Sequence, residues 1–334
     1  MSINYGLIGC GRIGSRHAEQ MQRTGKLIAV CDADEGCAEE LAIQFSCNFY
    51  TDIEVMLLAE PAIELVAICT PNGFHAEHGI TCLKSNVHVL CEQPLAIRKV
   101  DAERMIQAAD DFEKKLFVVK QCRYNAPVMA VKNLLEEDKL GKILSFQING
   151  FWNRPNMYYG NKWRGTLHLD GGTLFTQFSH FIDLLYWFLG DVKNVEAVIK
   201  NYEHRVLEIE DTGVVLFEMI NGAVGTMNYT VNSYQKNMEG SFTIFGEKGT
   251  VKIGGQFLNE LDYYCVDSEL PEIFTTSKNA QNYGFYQGSM SNHHLVYDEL
   301  TRDLQESDFD FAMARDGLKT VEIIEKIYQK ATSR

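Results

Sequence analysis

Six residues, Gly9-Cys10-Gly11-Arg12-Ile13-Gly14, restrict what this chain can fold into more than any others. They follow the apolar run Tyr5–Ile8 directly and open a stretch with helical character. Three glycines at this spacing do three separate jobs. Gly9 permits the tight turn out of a strand, Gly11 leaves the backbone bare for close approach of a pyrophosphate, and Gly14 lets helix and strand pack closely. The pyrophosphate then sits at the positive end of the helix. A GxGxxG by itself is weak; its position between a strand and a helix makes it specific. A second apolar run, Leu27–Cys31, ends at Asp32. That is about 20 residues past the glycines, where an acid accepts hydrogen bonds from the ribose hydroxyls of a dinucleotide. A carboxylate there repels a 2′-phosphate, so NAD is favoured over NADP. Arg12 offers charge to a phosphate, so NADP stays open.

The rest of the first third continues in the same texture. Leu65–Cys69, Val87–Cys91 and Leu116–Val119 are further continuously apolar runs, as expected of parallel strands buried on both faces. Helical patterns such as Ala102–Phe112 separate them. Repeated strand–helix units imply a parallel sheet with right-handed crossovers. From about residue 143 the texture changes. Ile143–Trp152 is a long strand candidate, and residues 192–200, 212–220, 223–231, 241–246 and 249–253 read as strands joined by turns such as Asn221-Gly222. One helix, about Thr173–Leu189, precedes most of them. Leu318, Val321, Ile324 and Ile327 then repeat at helical spacing. The expected architecture is an α/β Rossmann domain over residues 1–121. An α+β domain with a largely antiparallel open sheet follows over 122–290, for substrate and oligomerisation. C-terminal helices over 291–334 are expected to pack back near the first domain.

Composition narrows the class. A net charge of −14 with no basic tract argues against nucleic acid. No segment has the length and apolarity of a membrane span, and MSINYGLIGCG has no basic n-region. Nine cysteines are scattered without CxxC pairs, which points to reduced thiols in the cytoplasm rather than disulfides or zinc.

Cys69-Thr70-Pro71-Asn72 closes a strand at the carboxyl edge of the sheet, where open α/β sheets bind ligands. A plain Pro-Asn-Gly turn accounts for it equally well. His75 and His78 suggest a metal, but no Asp or Cys converges on them, so surface or capping histidines and no metal are expected.

GLIGCGRIGSRHAE, CTPNGFHAEH and CEQPLA, in that order, resemble the N-terminal domain of the Gfo/Idh/MocA oxidoreductases, and the second domain matches as well. The resemblance implies hydride transfer between NAD(P) and a carbinol carbon, commonly on a sugar, inositol or nucleotide sugar. It also implies cofactor contacts from Gly9, Gly11, Arg12, Ile13, Gly14, Asp32, Thr70, Pro71, Asn72, His75, Glu92 and Gln121. Asp170 to Asp183 is similar to the family's GGG-x-L-x-D-x-G-x-H-x-x-D. On a single helix, Phe175, Phe178, Ile182, Leu185 and Leu189 form an apolar stripe. Thr176, His180 and Asp183 form a polar one that can aim at a pocket. By itself His180 reads as a hydrogen-bonded core histidine. Within the motif it is the expected acceptor of the substrate's hydroxyl proton, a role suited to a group that titrates near neutrality. Thr176 stands where many relatives carry Asp.

Within the family the nearest resemblance is to the UDP-N-acetylglucosaminuronate 3-dehydrogenases. Gln177, the stretch Gln121-x-Arg123-Tyr124-Asn125, and Tyr286-Gln287-Gly288-x-x-Ser291-Asn292-His293 carry it. Arg123, Arg154, Lys162 and Arg164 are candidate contacts for an anionic substrate. Tyr124 and Gln177 join them as candidate substrate residues. Trp152, Tyr158, Tyr159 and Trp163 are rings that could flank a sugar or base. A solvated loop is the other reading of Arg154 and Lys162. The resemblance also implies a homo-dimer or homo-tetramer packed on the open sheet.

One departure bears on the chemistry. Gln93 stands where the family's motif has lysine. It keeps a hydrogen-bond donor and loses the charge. Loss of a preorganised stabiliser of developing charge costs about 10²–10³ in rate. Three explanations remain: His180 suffices with Gln93 positioning substrate, a lysine such as Lys120 substitutes, or the protein binds NAD and a sugar ligand with weak or no redox activity. An NAD-dependent glycosidase is a further alternative.

Overall fold

The computed structural model describes residues 2–267, 287–288, 290–305 and 314–332. Two compact units emerge: Met1–Lys120 with His293–Val321, and Gln121–Asn292 with Glu322–Arg334.

In the first unit, strands β1 (Ile3–Ile8), β2 (Gly25–Cys31), β3 (Asn48–Tyr50), β4 (Leu65–Ile68), β5 (His88–Cys91) and β6 (Leu116–Val118) form one sheet in the order β3-β2-β1-β4-β5-β6. Every pairing is parallel. Helices α1 (Arg12–Thr24), α2 (Glu35–Phe45), α3 (Ile53–Ala59), α4 (His75–Lys84) and α5 (Lys99–Asp111) connect the strands. The strand order reverses between β1 and β4, and in open α/β sheets that crevice is where ligands bind. The apolar runs lie where continuous apolarity requires, with β4 and most of β5 fully buried. β3 is absent from those runs for a physical reason: it is a three-residue edge strand with Asn48 and Phe49 exposed, so it needs no apolar signature. Asp34 and Asp52 cap α2 and α3, accepting from the backbone N–H of Cys37 and Val55.

The second unit holds helix α6 (Ala126–Glu136) and an eight-stranded sheet. Its strands are β7 (Ile143–Phe151), β8 (Val192–Lys200), β9 (Thr212–Met219), β10 (Val224–Thr230), β11 (Glu239–Gly246), β12 (Gly249–Gly254), β13 (Glu260–Val266) and β14 (Ala331–Thr332), in the order β13-β12-β11-β7-β10-β9-β8-β14. The sheet is largely antiparallel, with parallel pairs at β10–β7 and β14–β8. β13 and β14 lie beyond the strands read from the sequence, because neither shows an apolar alternation; β13 keeps no buried residue. Side chains alternate across β9: Val215, Phe217 and Met219 are buried, while Val214 and Leu216 on the outer face are half exposed. The inner face is aromatic: Phe178 lies 5.4 Å from Tyr229 and Phe188 5.4 Å from Phe242 between ring centroids.

The single helix expected over Thr173–Leu189 is two. Helix α7 (Thr173–Thr176) stops and α8 (Ser179–Leu189) begins after a break at Gln177 and Phe178. The apolar stripe survives the break, since Phe175, Phe178, Ile182, Leu185 and Leu189 are all buried. The polar stripe does not: Thr176 ends one helix, while His180 and Asp183 belong to the next. Two further helices, α9 (His293–Gln305) and α10 (Ala314–Lys330), precede β14. In α10, Val321, Ile324 and Ile327 are buried. No helix among the described residues is long and apolar enough to cross a membrane.

Candidate dinucleotide and substrate sites

The glycine loop in the first unit is built for close approach. Gly9 adopts φ +97°, and a Cβ there would lie 2.6 Å from the Cys69 carbonyl. A Cβ on Gly14 would lie 2.0 Å from the Gly9 oxygen, so helix and strand are packed as tightly as the spacing requires. Gly11 is the opposite case: nothing lies within 4 Å of its would-be Cβ. Gly11 is also the N-cap of α1, where no side chain caps the helix. The first-turn N–H groups of α1 therefore face a bare approach suited to a phosphate. Arg12 is exposed and Ile13 partly buried beside it. Asp32 accepts from the backbone N–H of Cys10 at 2.8 Å and of Asp34 at 2.9 Å. A carboxylate has about four lone-pair sites, so lone pairs remain for ribose hydroxyls. Open backbone at Gly11 and an acid locked at the end of β2 fit a dinucleotide.

Two further loops leave the same sheet edge. His75 bridges them, one ring nitrogen on the Thr70 carbonyl at 2.8 Å and the other on the Pro94 carbonyl at 2.7 Å. It is fully buried at the start of α4, so the expectation of a surface residue is corrected; burial pushes its pKa down. His78 reaches the Thr70 hydroxyl at 3.1 Å and stacks on Phe74. Asn72 is buried, and Pro71 is partly buried.

Glu92 and Gln93 leave β5 on the second of these loops. Oε1 of Glu92 accepts from Nε2 of His17 at 2.9 Å and from Nε2 of His293 at 3.2 Å. Its Oε2 accepts the Gln93 backbone N–H at 3.0 Å. Burial pushes this carboxyl up, but the two imidazoles outweigh it and hold it well below the usual carboxylate range. His17, Glu92 and His293 offer ligand atoms within 4.8 Å of one another. No local signal marks this cluster, because the three residues come from α1, the loop after β5, and α9. The side-chain amide of Gln93 makes no hydrogen bond among the described residues. Lys120, just past β6, is fully buried with Nζ 3.3 Å from the Thr320 hydroxyl.

In the second unit, the candidate substrate residues separate. Arg154 is buried; its Nε donates to Oε1 of Gln177 at 2.6 Å, and Nη1 donates to the Asn237 side chain at 3.2 Å. Gln177 in turn donates to the Tyr158 hydroxyl at 2.6 Å. The Arg154 guanidinium lies 5.0 Å from the Trp152 ring and 5.5 Å from Tyr158. Arg164 sits on Tyr158 as well, 4.2 Å from its centroid, and its buried Nε has no partner among the described residues. Trp163 is 5.0 Å from the same guanidinium. The break between α7 and α8 is what turns Gln177 into this cluster. Tyr159 packs on His204, and Lys162 is exposed.

Arg123 is engaged differently. Its Nε and Nη2 form a buried bidentate pair with Asp183, at 2.9 and 2.8 Å. Its guanidinium also lies 4.9 Å from the Trp187 ring. Asp183 thus faces Arg123 rather than a pocket, a correction to the single polar stripe. Gln121 and Tyr124 lie on the short turn before α6; Asn292 donates to the Gln121 carbonyl at 3.2 Å and to Asn125 at 2.8 Å. Tyr286 of the late stretch lies outside the described residues. His180 is in the first turn of α8 and half-buried.

Two acids support the helix pair, Asp170 at the start of the motif stretch and Glu210, which the sequence reading did not single out. The Thr176 hydroxyl donates to Asp170, which also accepts the Gly165 N–H at 2.7 Å. Burial pushes Asp170 up to about 6. A carboxylate therefore stands against the position where relatives carry Asp. Glu210 accepts from Tyr328 at 2.7 Å and Tyr229 at 3.0 Å, and its carbonyl accepts from Thr173. Burial pushes it up to about 7. A Cβ on Gly172, at φ +126°, would lie 2.2 Å from the Tyr328 hydroxyl oxygen, so only glycine fits at the entry to α7.

Comparison with known proteins places this geometry. Residues 3–120 match the GFO_IDH_MocA model, described as an oxidoreductase family with an NAD-binding Rossmann fold, and residues 128–252 match the GFO/IDH/MocA C-terminal domain. The chain is similar to the WlbA dehydrogenase of Chromobacterium violaceum, solved with NADH and UDP-GlcNAcA. Identity is 34%, the TM-score is 0.90, and 98% of this chain and 93% of that one are covered. The corresponding complex of the Bordetella pertussis WlbA dehydrogenase is 33% identical, with a TM-score of 0.88 over 99% and 96% of the two chains. Levoglucosan dehydrogenase of Pseudarthrobacter phenanthrenivorans is 26% identical over 78% of this chain and 75% of its own.

Proposed function

The chain belongs to the Gfo/Idh/MocA oxidoreductase family, and we propose that it transfers hydride between NAD and a carbinol carbon of a nucleotide sugar, C3 of a UDP-sugar acid. The observation that carries this reading is the likeness, at 34% identity across 98% of the chain, to a dehydrogenase holding NADH and UDP-GlcNAcA.

Gly9, Gly11 and Gly14 with the first turn of α1 hold the pyrophosphate, and Asp32 holds the adenosine ribose. Bound NAD supplies the hydride acceptor. The remaining work falls to side chains. His180 takes the hydroxyl proton as the carbinol is oxidised and returns it in the reverse direction. The Gln93 amide donates a hydrogen bond to the reacting oxygen. Asp170, through Thr176, supplies the acid that relatives carry on the helix itself. Arg154 and Arg164, stacked on Tyr158, hold the substrate's anionic groups. Reduced cysteines fit a cytoplasmic enzyme, and the half-exposed outer face of the second sheet fits a homo-dimer or homo-tetramer.

Gln93 favours a second reading, a protein that binds NAD and a sugar ligand with little turnover, because it removes the motif's charge. Purified protein mixed with NAD and UDP-sugar acids, followed by the absorbance of reduced nicotinamide, separates the two. A single-turnover burst supports the dehydrogenase. Tight NAD binding without reduction on any carbinol sinks it in favour of binding alone.

A further inference from the structure

The backbone on both sides of Gln93 is held in place, while its side-chain amide makes no hydrogen bond among the described residues. On one side, the Gln93 N–H is held by Oε2 of Glu92. On the other, the Pro94 carbonyl lies 2.7 Å from Nδ1 of the buried His75. Glu92 is itself fixed, since its Oε1 takes two imidazole donors. One is His17 of α1, whose Nδ1 lies 2.7 Å from the Tyr297 hydroxyl. The other is His293, the first residue of α9. All three members are buried. An amide held in place with its donors unspent is preorganised for an outside partner.

The protons of this cluster are assigned by its ionised carboxylate. Each imidazole donates from Nε2 to the carboxylate, and Tyr297 donates to Nδ1 of His17. Two imidazoles and a carboxylate also make a ligand set of the kind that holds zinc. Here, however, both rings are directed at one carboxylate oxygen; His17 is engaged at both nitrogens, while Nδ1 of His293 is buried without a partner among the described residues.

We propose that His293 is a positioning residue for Gln93, acting through Glu92 to hold the amide where the reacting oxygen binds. This rests on the dehydrogenase reading above. It assigns a role to the late Ser291-Asn292-His293 stretch, which no local pattern connects to the motif after β5.

The test compares His293→Ala with His293→Gln, whose amide can still donate to Glu92. With NAD and a UDP-sugar acid, His293→Ala should lower kcat about 10- to 100-fold, the scale of a misplaced catalytic group, while NADH affinity stays near wild type. His293→Gln should recover most of the loss. A loss of equal size in both variants, or no loss in either, overturns the proposal. So does one equivalent of Zn²⁺ bound by the wild type in equilibrium dialysis and lost in His293→Ala, since His293 would then be a ligand. A second readout needs no turnover. The backbone amide proton of Gln93, observed by selective ¹⁵N labelling, should move upfield in His293→Ala and return in His293→Gln. An unmoved resonance overturns the proposal. An inactive wild type with a responsive resonance leaves the positioning intact and removes only the dehydrogenase reading.

Discussion

Glu210→Gln should make the second unit more stable above neutral pH and erase much of its pH dependence. Glu210 is buried, with both tyrosine hydroxyls on its Oε1. Burial lifts its pKa from 4.5 to about 7. The unfolded chain therefore gives up this proton first. Between pH 4.5 and about 7 the folded state holds more protons, so stability falls as pH rises. At about 1.36 kcal/mol per pH unit, the full effect is about 3 kcal/mol, and about 2.5 kcal/mol of it falls between pH 5 and pH 8. Glutamine keeps an acceptor for the tyrosines and a donor in place of the acid proton, so it imitates the neutral side chain at every pH. All three tryptophans, Trp152, Trp163 and Trp187, lie in this unit. Urea unfolding followed by their fluorescence at pH 5, 6, 7 and 8 therefore reads it directly. The wild type should lose stability across the series and the variant should lose much less, with a residual slope below pH 6 from Asp170, which burial also raises. An unchanged slope between pH 6 and 8 would refute Glu210 as the titrating group. The effect reaches the site because Glu210 and Tyr328 together cradle Gly172 and Thr173, where α7 begins.

Other perturbations test the site residue by residue. Gln93→Lys should raise kcat at least tenfold, toward the about 10²–10³ that a charged stabiliser contributes, with NADH affinity unchanged by fluorescence titration. His180→Ala should lower kcat about 10²–10⁴-fold, the range for a general acid–base, with the same NADH affinity; unchanged kcat would remove His180 from the mechanism. Gly11→Ala meets open space and should leave Tm unchanged while weakening NADH binding at least about tenfold, because its Cβ occupies the phosphate approach. Gly14→Ala, 2.0 Å from a carbonyl oxygen, should lower Tm instead. Arg123→Met strands the buried Asp183 carboxylate and should cost about 3–5 kcal/mol in urea unfolding.

The two kinds of information divide along a physical line. Sequence alone determined the glycine loop, the acid at Asp32, the parallel strands and the apolar stripe of α7 and α8. Each follows from local covalent geometry or from periodicity, which neighbouring residues express together. Gln93 was legible in the same way, as a departure inside a short motif. Short or weakly apolar strands such as β3, β13 and β14 were not, because edge positions demand little burial. Nor was the break at Gln177 and Phe178. The apolar spacing runs through it unaltered, so periodicity does not mark it, and the contacts that Gln177 makes there with Arg154 and Tyr158 are tertiary. Tertiary structure alone decided which charges meet. Arg123 is committed to Asp183, and Glu92 to His17 and His293, partners that lie 60, 75 and 201 residues apart in the chain. Burial makes such pairs necessary, since an unpaired charge in the interior is costly. The choice of partner follows from folding and leaves no pattern in the neighbouring residues. The dinucleotide loop is thus written locally, whereas the hold on Gln93 beside it exists only once α1, the loop after β5, and α9 have come together.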